Sequence, residues 1–202
     1  MCTRSITWAK TPIPASSSSG GGALTYRVGD IGPGGGLVFL ISGGLTYEMA
    51  PNTWSGSSSD DTPTLSWCGN TFSNISGAVG TAVGTGSANT AAIAASVRCS
   101  SNAAAAVRAY TGGGLMDWFL PSKDELNAMC NYSRNPGTVP TGACTGAQDG
   151  TFAAGTYGFV SDLYWSSSQS GFVSAWYQGL DLWGQASGSK GNSLRVRPVR
   201  AF

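Results

Sequence analysis

Asp117-Trp118-Phe119-Leu120-Pro121-Ser122-Lys123-Asp124-Glu125-Leu126 contains a helix start that can be placed to the residue. Ser122 and Glu125 have the S-x-x-E spacing of a capping box, and Pro121 stands just before it. Leu126, Met129 and Cys130 follow at i, i+3 and i+4, giving the helix one apolar face. Asp124 and Glu125 fall in the first turn, where the helix dipole favours negative charge. Capping therefore accounts for this carboxylate pair better than acid–base chemistry does.

Upstream, residues 87–110 are rich in Ala. Ala91 to Ala95 suit one helix and Ala103 to Tyr110 a second, which Ser101 or Asn102 can cap. The run Thr111-Gly112-Gly113-Gly114 ends it. Further back, Gly34-Gly35-Gly36 leads into Leu37-Val38-Phe39-Leu40-Ile41, a buried strand entered through a tight turn. No G-K-S/T follows, so the glycines are a turn and not a phosphate loop. Downstream of Tyr157 the chain becomes strand-like and aromatic at 164–168, 175–178 and 182–183. It ends on Arg195-Val196-Arg197-Pro198-Val199-Arg200-Ala201-Phe202, an edge strand or bulge because of Pro198. One strand near the start, helices in the middle and a strand at the end give an α+β class with terminal strands in one sheet. Residues 1–25 read as an attachment segment around Ile6 and Trp8 plus a Pro/Ser/Gly linker. Residues 26–202 form the compact domain.

Composition narrows the function. Only 10% of the 202 residues are charged, against roughly a quarter in an average soluble protein. Gly contributes 30 residues and Trp 7, which suits an ordered, loop-rich fold outside the cytoplasm or on a particle surface. A net charge of +1 leaves no footprint for nucleic acid. The cluster Arg195, Arg197 and Arg200 reads as solvated or ion-paired. The chain has no His, which removes Ser-His-Asp and Cys-His nucleophiles and the usual zinc sites. No catalytic residue, metal or cofactor is expected. Residues 1–30 carry neither the apolar core of a secretory leader nor a membrane span. A phage structural protein, released by lysis, needs no leader.

Five Cys occur, and none forms a C-x-x-C pair. Cys68, Cys99, Cys130 and Cys144 read as two disulfides, for which three connectivities exist, or as buried thiols in a reducing compartment. Near neighbours pair as Cys68–Cys99 and Cys130–Cys144, each closing a Gly-rich loop and leaving Cys2 unpaired.

Five segments, taken in order, resemble the Legionella collagen-like adhesin C-terminal domain group of the C-type-lectin-like superfamily. They are residues 28–36 (Val-Gly-Asp-Ile-Gly-Pro-Gly-Gly-Gly), residues 84–90 (Gly-Thr-Gly-Ser-Ala-Asn-Thr), Asp117 to Leu126, Trp165-Ser166-Ser167-Ser168, and residues 196–202. The resemblance runs from about Tyr26 to Phe202. It implies two helices, small twisted antiparallel sheets and a surface role, as in phage tail proteins and the variable proteins of diversity-generating retroelements. The chain lacks the E-P-N, Q-P-D and W-N-D strings of calcium-dependent sugar sites. Asp60-Asp61 is too small a cluster for calcium. The copper-binding Cys pair of formylglycine-generating enzymes has no counterpart, so that oxidase reading is remote.

In retroelement-diversified domains the varied codons are AAC or AAT, and randomising their adenines cannot yield Lys, Glu, Gln, Met or Trp. Trp176, Gln178, Gln185 and Lys190 then read as fixed framework. Gly171, Phe172, Val173, Ser174, Tyr177, Gly179, Asp181, Leu182, Gly184, Asn192, Ser193 and Leu194 lie between them and are all reachable. The resemblance implies a ligand surface over residues 171–194. Phe172, Val173, Tyr177, Leu182 and Trp183 are its apolar anchors, with Trp183 open between surface and core. Ser174, Asp181, Asn192 and Ser193 are its polar contacts, and Gly171, Gly179 and Leu194 complete it. Strand alternation separates Trp176 from Tyr177; Trp165 and Trp176 are expected buried, and Tyr177, Phe172 and Leu182 exposed. The expected partner is a protein or glycan on a host or neighbouring cell, with residues 1–23 docking to other virion or surface proteins. Neither nucleic acid nor membrane insertion is expected, and homo-oligomerisation stays open. The alternative role is a structural virion subunit, such as a tail tip, fibre head or capsid decoration.

Overall fold

A computed structural model describes residues 25–57, 61, 63–99, 102–138, 142–180 and 184–202. The attachment segment, the linker, Cys2, Asp60 and Ser101 lie outside the described residues, as do Asp181, Leu182 and Trp183.

The fold is mixed α and β. Two strands open it, β1 (Leu37–Ser42) and β2 (Leu45–Met49), followed by a short β3 (Leu65–Ser66). Four α-helices follow among the described residues: α1 (Gly86–Ala95), α2 (Ala103–Ala109), α3 (Lys123–Arg134) and α4 (Gly150–Ala153). Strands β4 (Leu163–Gln169), β5 (Ser174–Gly179), β6 (Gly184–Ser189), β7 (Ser193–Leu194) and β8 (Val199–Ala201) complete the chain. The resemblance implied two helices, and the residues themselves pointed to three, at 91–95, 103–110 and from Ser122. The fourth, α4, has only four residues, and a single turn carries little periodic signal.

The strands form three small antiparallel sheets, ordered β1-β2-β8, β3-β7 and β4-β5-β6. The chain ends do share a sheet, but β8 pairs with β2 and not with β1. β8 is an edge strand, as Pro198 requires, and its free side is held by reciprocal Phe119–Val199 backbone hydrogen bonds of 2.8 and 2.9 Å. α1 begins well before Ala91, because Asn89 and Thr90 are pinned on its inner face. Asn89 Nδ2 donates to the Gly80 carbonyl, and the Leu120 amide donates to Thr90 Oγ1 at 3.0 Å. At α2, Asn102 is the cap, its side chain accepting from the Ala105 amide. At α3 both arms of the capping box are present.

Two cores share the interior. One gathers Phe39, Tyr47, Met49, Leu126, Met129, Phe159 and Tyr164 between the first sheet and α3. The other gathers Trp54, Trp67, Ile93, Val107, Trp118, Trp165 and Val196 around α1 and α2. β4 runs between them. Its neighbours Tyr164 and Trp165 point to opposite faces and both are fully buried, one in each core. Disulfides Cys68–Cys99 and Cys130–Cys144 form, with Cα separations of 4.6 and 5.8 Å. The first lies in the second core and the other in the first. Disulfides persist in oxidising compartments. Among the described residues no helix is long and apolar enough to cross a membrane.

Candidate functional site

The C-terminal arginines are structural. Arg195 pairs with Asp162 at 2.8 Å, and Arg200 bridges Asp117 and Glu48. Arg197 and Asp61 form a bidentate pair with no solvent exposure at either side chain. Tyr164 Oη also donates to Asp61 at 2.6 Å, and Arg197 donates further to the carbonyls of Ala50, Tyr157 and Gly158. Burial, then the Asp61 charge, push the Tyr164 hydroxyl well above its ordinary pKa. Asp61 is thus committed to this network.

Two more buried carboxylates are wrapped in backbone. Glu48 accepts from the Gly34 and Gly36 amides and from Arg200. Burial pushes its pKa up, against the opposing pull of Arg200 and the two amides. Glu125 accepts from the Ser122 and Gly84 amides, both at 2.7 Å, and burial raises its pKa too. These arginines and carboxylates all find their partners within the chain. Among the described residues, no group of three or more His, Cys, Asp or Glu is placed to hold a metal.

The segment expected to bind ligand divides into a supported part and an exposed part. Phe172 and Val173, on the loop between β4 and β5, are 56% and 42% exposed. Asn192 and Ser193 are exposed and Gly171 and Ser174 half-buried. Tyr177 is half-buried, contrary to expectation. It pairs with Trp165 across β4 and β5, its ring 6.1 Å from the Trp165 ring, and it covers Gly188, where an added Cβ would lie 3.0 Å from the tyrosine ring. Leu194 likewise packs on the second core, and Gly179 is buried inside β5.

Trp165 is buried as expected, whereas Trp176 is only half-buried. Its ring lies under Lys123, whose Nζ stands 5.2 Å from the centroid. Both faces of β5 are covered, one by the second core and the other by the start of α3, where Gln185 Nε2 bonds the Lys123 carbonyl. Alternation separates Trp176 from Tyr177 without deciding which of them is the deeper.

A residue that the sequence reading did not include joins the exposed part. Phe72 is 68% exposed, and its loop is tied to the Phe172 loop through Lys190. The Lys190 side chain is fully buried. Its Nζ donates to the Ser73 carbonyl at 2.7 Å, the Phe172 carbonyl at 2.9 Å and Gln169 Oε1 at 2.6 Å. It also stands 4.8 Å from the centre of the Trp67 ring. Thr71 approaches Gly191 so closely that an added Cβ would lie 2.8 Å from its methyl. The loops at residues 71–73 and 171–173 thus meet at one ammonium, and the turn after Lys190 packs on Thr71. The only sequence signal for Phe72 is a large apolar residue in a polar loop, which does not reveal its neighbours.

Among the described residues, these three loops carry no exposed charge. In residues 70–74, 170–174 and 187–193 the sole charged side chain is the buried Lys190. Elsewhere, an open cleft of about 460 Å³ is lined by residues including Trp54, Ser55, Pro63, Tyr110 and Thr111. Trp54 Nε1 is already engaged by the Val196 carbonyl, so the indole serves as wall. Comparison of the sequence with models of known protein families and with curated proteins gives no match.

Proposed function

We propose that the protein is a non-enzymatic binding module, displayed outside the cytoplasm on a virion or cell surface. It engages its partner through the loops that carry Phe72, Phe172 and Val173. The C-type-lectin-like scaffold implied by the sequence resemblance suits that role, since it presents variable loops on a fixed frame. The observation that carries the reading is the group of exposed apolar side chains on loops fastened to each other. Aromatic side chains held rigid lose little entropy on binding and dominate interface energies. Exposed apolar groups gathered in one place mark interaction sites. The described residues of these loops bear no exposed charge, so they suit the apolar face of a protein better than an acidic glycan or a phosphate. Two disulfides fit an oxidising location.

The test uses fluorescently labelled protein on a panel of intact bacterial cells. Wild type and Leu45→Ser, a change at a 42% exposed apolar side chain on the β1-β2-β8 sheet, should stain the same cells equally. Phe172→Ala should weaken staining by about 30-fold, the equivalent of about 2 kcal/mol at a hot spot, with an unchanged melting temperature. Equal staining by Phe172→Ala, or no staining of any cell by wild type, would favour a structural virion subunit instead.

A further inference from the structure

We propose that Lys190 is the positioning residue of this binding surface and that, by clamping two loops, it makes Phe72 part of the surface. The inference rests on the binding reading above.

An ammonium has three protons to donate, and Lys190 uses them on three acceptors from three places: Ser73, Gln169 and Phe172. Gln169 is itself tied to the Phe72 side. Its Oε1 also accepts from the Ile75 amide at 2.8 Å, and its Nε2 donates to Asn74 Oδ1 at 2.6 Å. Among the described residues the buried Ser73 hydroxyl has no hydrogen-bond partner, so the backbone carbonyl makes that residue's link to Lys190. The Lys190 amide donates to the Val173 carbonyl at 3.0 Å, and its own carbonyl accepts from the Trp67 and Cys68 amides. The residue is therefore joined through both backbone and side chain to everything that carries Phe72, Phe172 and Val173.

The groups facing the ammonium are two carbonyls, one amide oxygen and the Trp67 ring. No acidic side chain pairs with it among the described residues. A cation held only by neutral acceptors is costly to bury, and burial lowers the Lys190 pKa to about 8. A neutral amine has two protons and a lone pair, so on deprotonation one of the three acceptors faces a lone pair and must move away. The clamp then opens. Global stability changes the other way. Between pH 8 and the ordinary lysine range the unfolded chain binds the extra proton, so this group makes stability rise with pH. A lysine that merely stabilised the fold would not separate the two effects.

The wild-type protein itself supplies the experiment. Carbonyl carbon signals of Ser73 and Phe172 and the Val173 methyl signals are followed by NMR from pH 6.5 to 9.5. They should share one transition near pH 8 that is absent in Lys190→Met, while the melting temperature does not fall across it. Staining of the cells that bind wild type should drop about tenfold between pH 6.5 and 9, the entropy cost of re-ordering two aromatic side chains. Lys190→Met should bind weakly with no pH step, and Phe72→Ala should bind about tenfold more weakly than wild type at pH 6.5. Absence of the shared NMR transition overturns the clamp, as does its persistence in Lys190→Met. A transition with unchanged staining reduces Lys190 to a structural residue. If Phe72→Ala stains like wild type while Phe172→Ala does not, the enlarged surface is wrong and the binding reading stands.

Discussion

Glu48 and Glu125 are fully buried carboxylates, and the glycines around them are there for space. Gly36 lies against the Met49 carbonyl, 2.7 Å from where a Cβ would stand, and Glu48 Oε2 is only 2.9 Å from that position. A backbone carbonyl in a strand cannot move aside cheaply. Gly36→Ala should therefore cost roughly 1–3 kcal/mol in a urea melt, the range for overpacking; an unchanged midpoint would mean that the nest does not hold Glu48. The sequence shows the glycines and suggests a close backbone approach. It does not show what approaches, because Glu48 lies in a strand twelve residues later. Asp61 misleads in the same way. In a Ser-rich loop it looks solvated, and only folding brings Arg197 and Tyr164 onto it. The arginine cluster reads from sequence as solvated or ion-paired, and the fold brings acidic partners to all three of its members.

At the scale of elements, local chemistry was the most legible. Capping lies within four consecutive residues, so Ser122 and Glu125 could be read directly. Ser122→Ala removes the acceptor for the Glu125 amide at 3.2 Å and should lower stability by about 1 kcal/mol, measured by thermal or urea unfolding. No change would mean that the box contributes nothing in solution. The Cys130–Cys144 bridge was legible for the same reason, both cysteines flanking one short loop. Strand faces were less legible. Alternation identifies a face only where one side of a sheet meets water, and β5 is covered on both sides. Tyr177 therefore leans on Trp165 while Trp176 sits under Lys123, and a binding set drawn from codon reachability and the resemblance included Tyr177, Gly179 and Leu194, which pack inward.

For the molecule as a whole, the exposed surface depends on contacts far apart in sequence. Phe72 and Phe172 are a hundred positions apart, yet their loops share the Lys190 ammonium, a relation that no local pattern encodes. Composition bears on the character of these loops. With 10% of its residues charged, the chain exposes Phe72, Phe172 and Val173 on loops whose described residues carry no exposed charge. The most direct test of its role is hydroxyl-radical footprinting of the protein bound to cells that it stains, compared with free protein. Phe72 and Phe172 should become protected on binding, while Met116, 77% exposed in the free chain, keeps its reactivity. Protection at Met116 or along the Trp54–Tyr110 cleft, with Phe172 as reactive as before, would contradict the account.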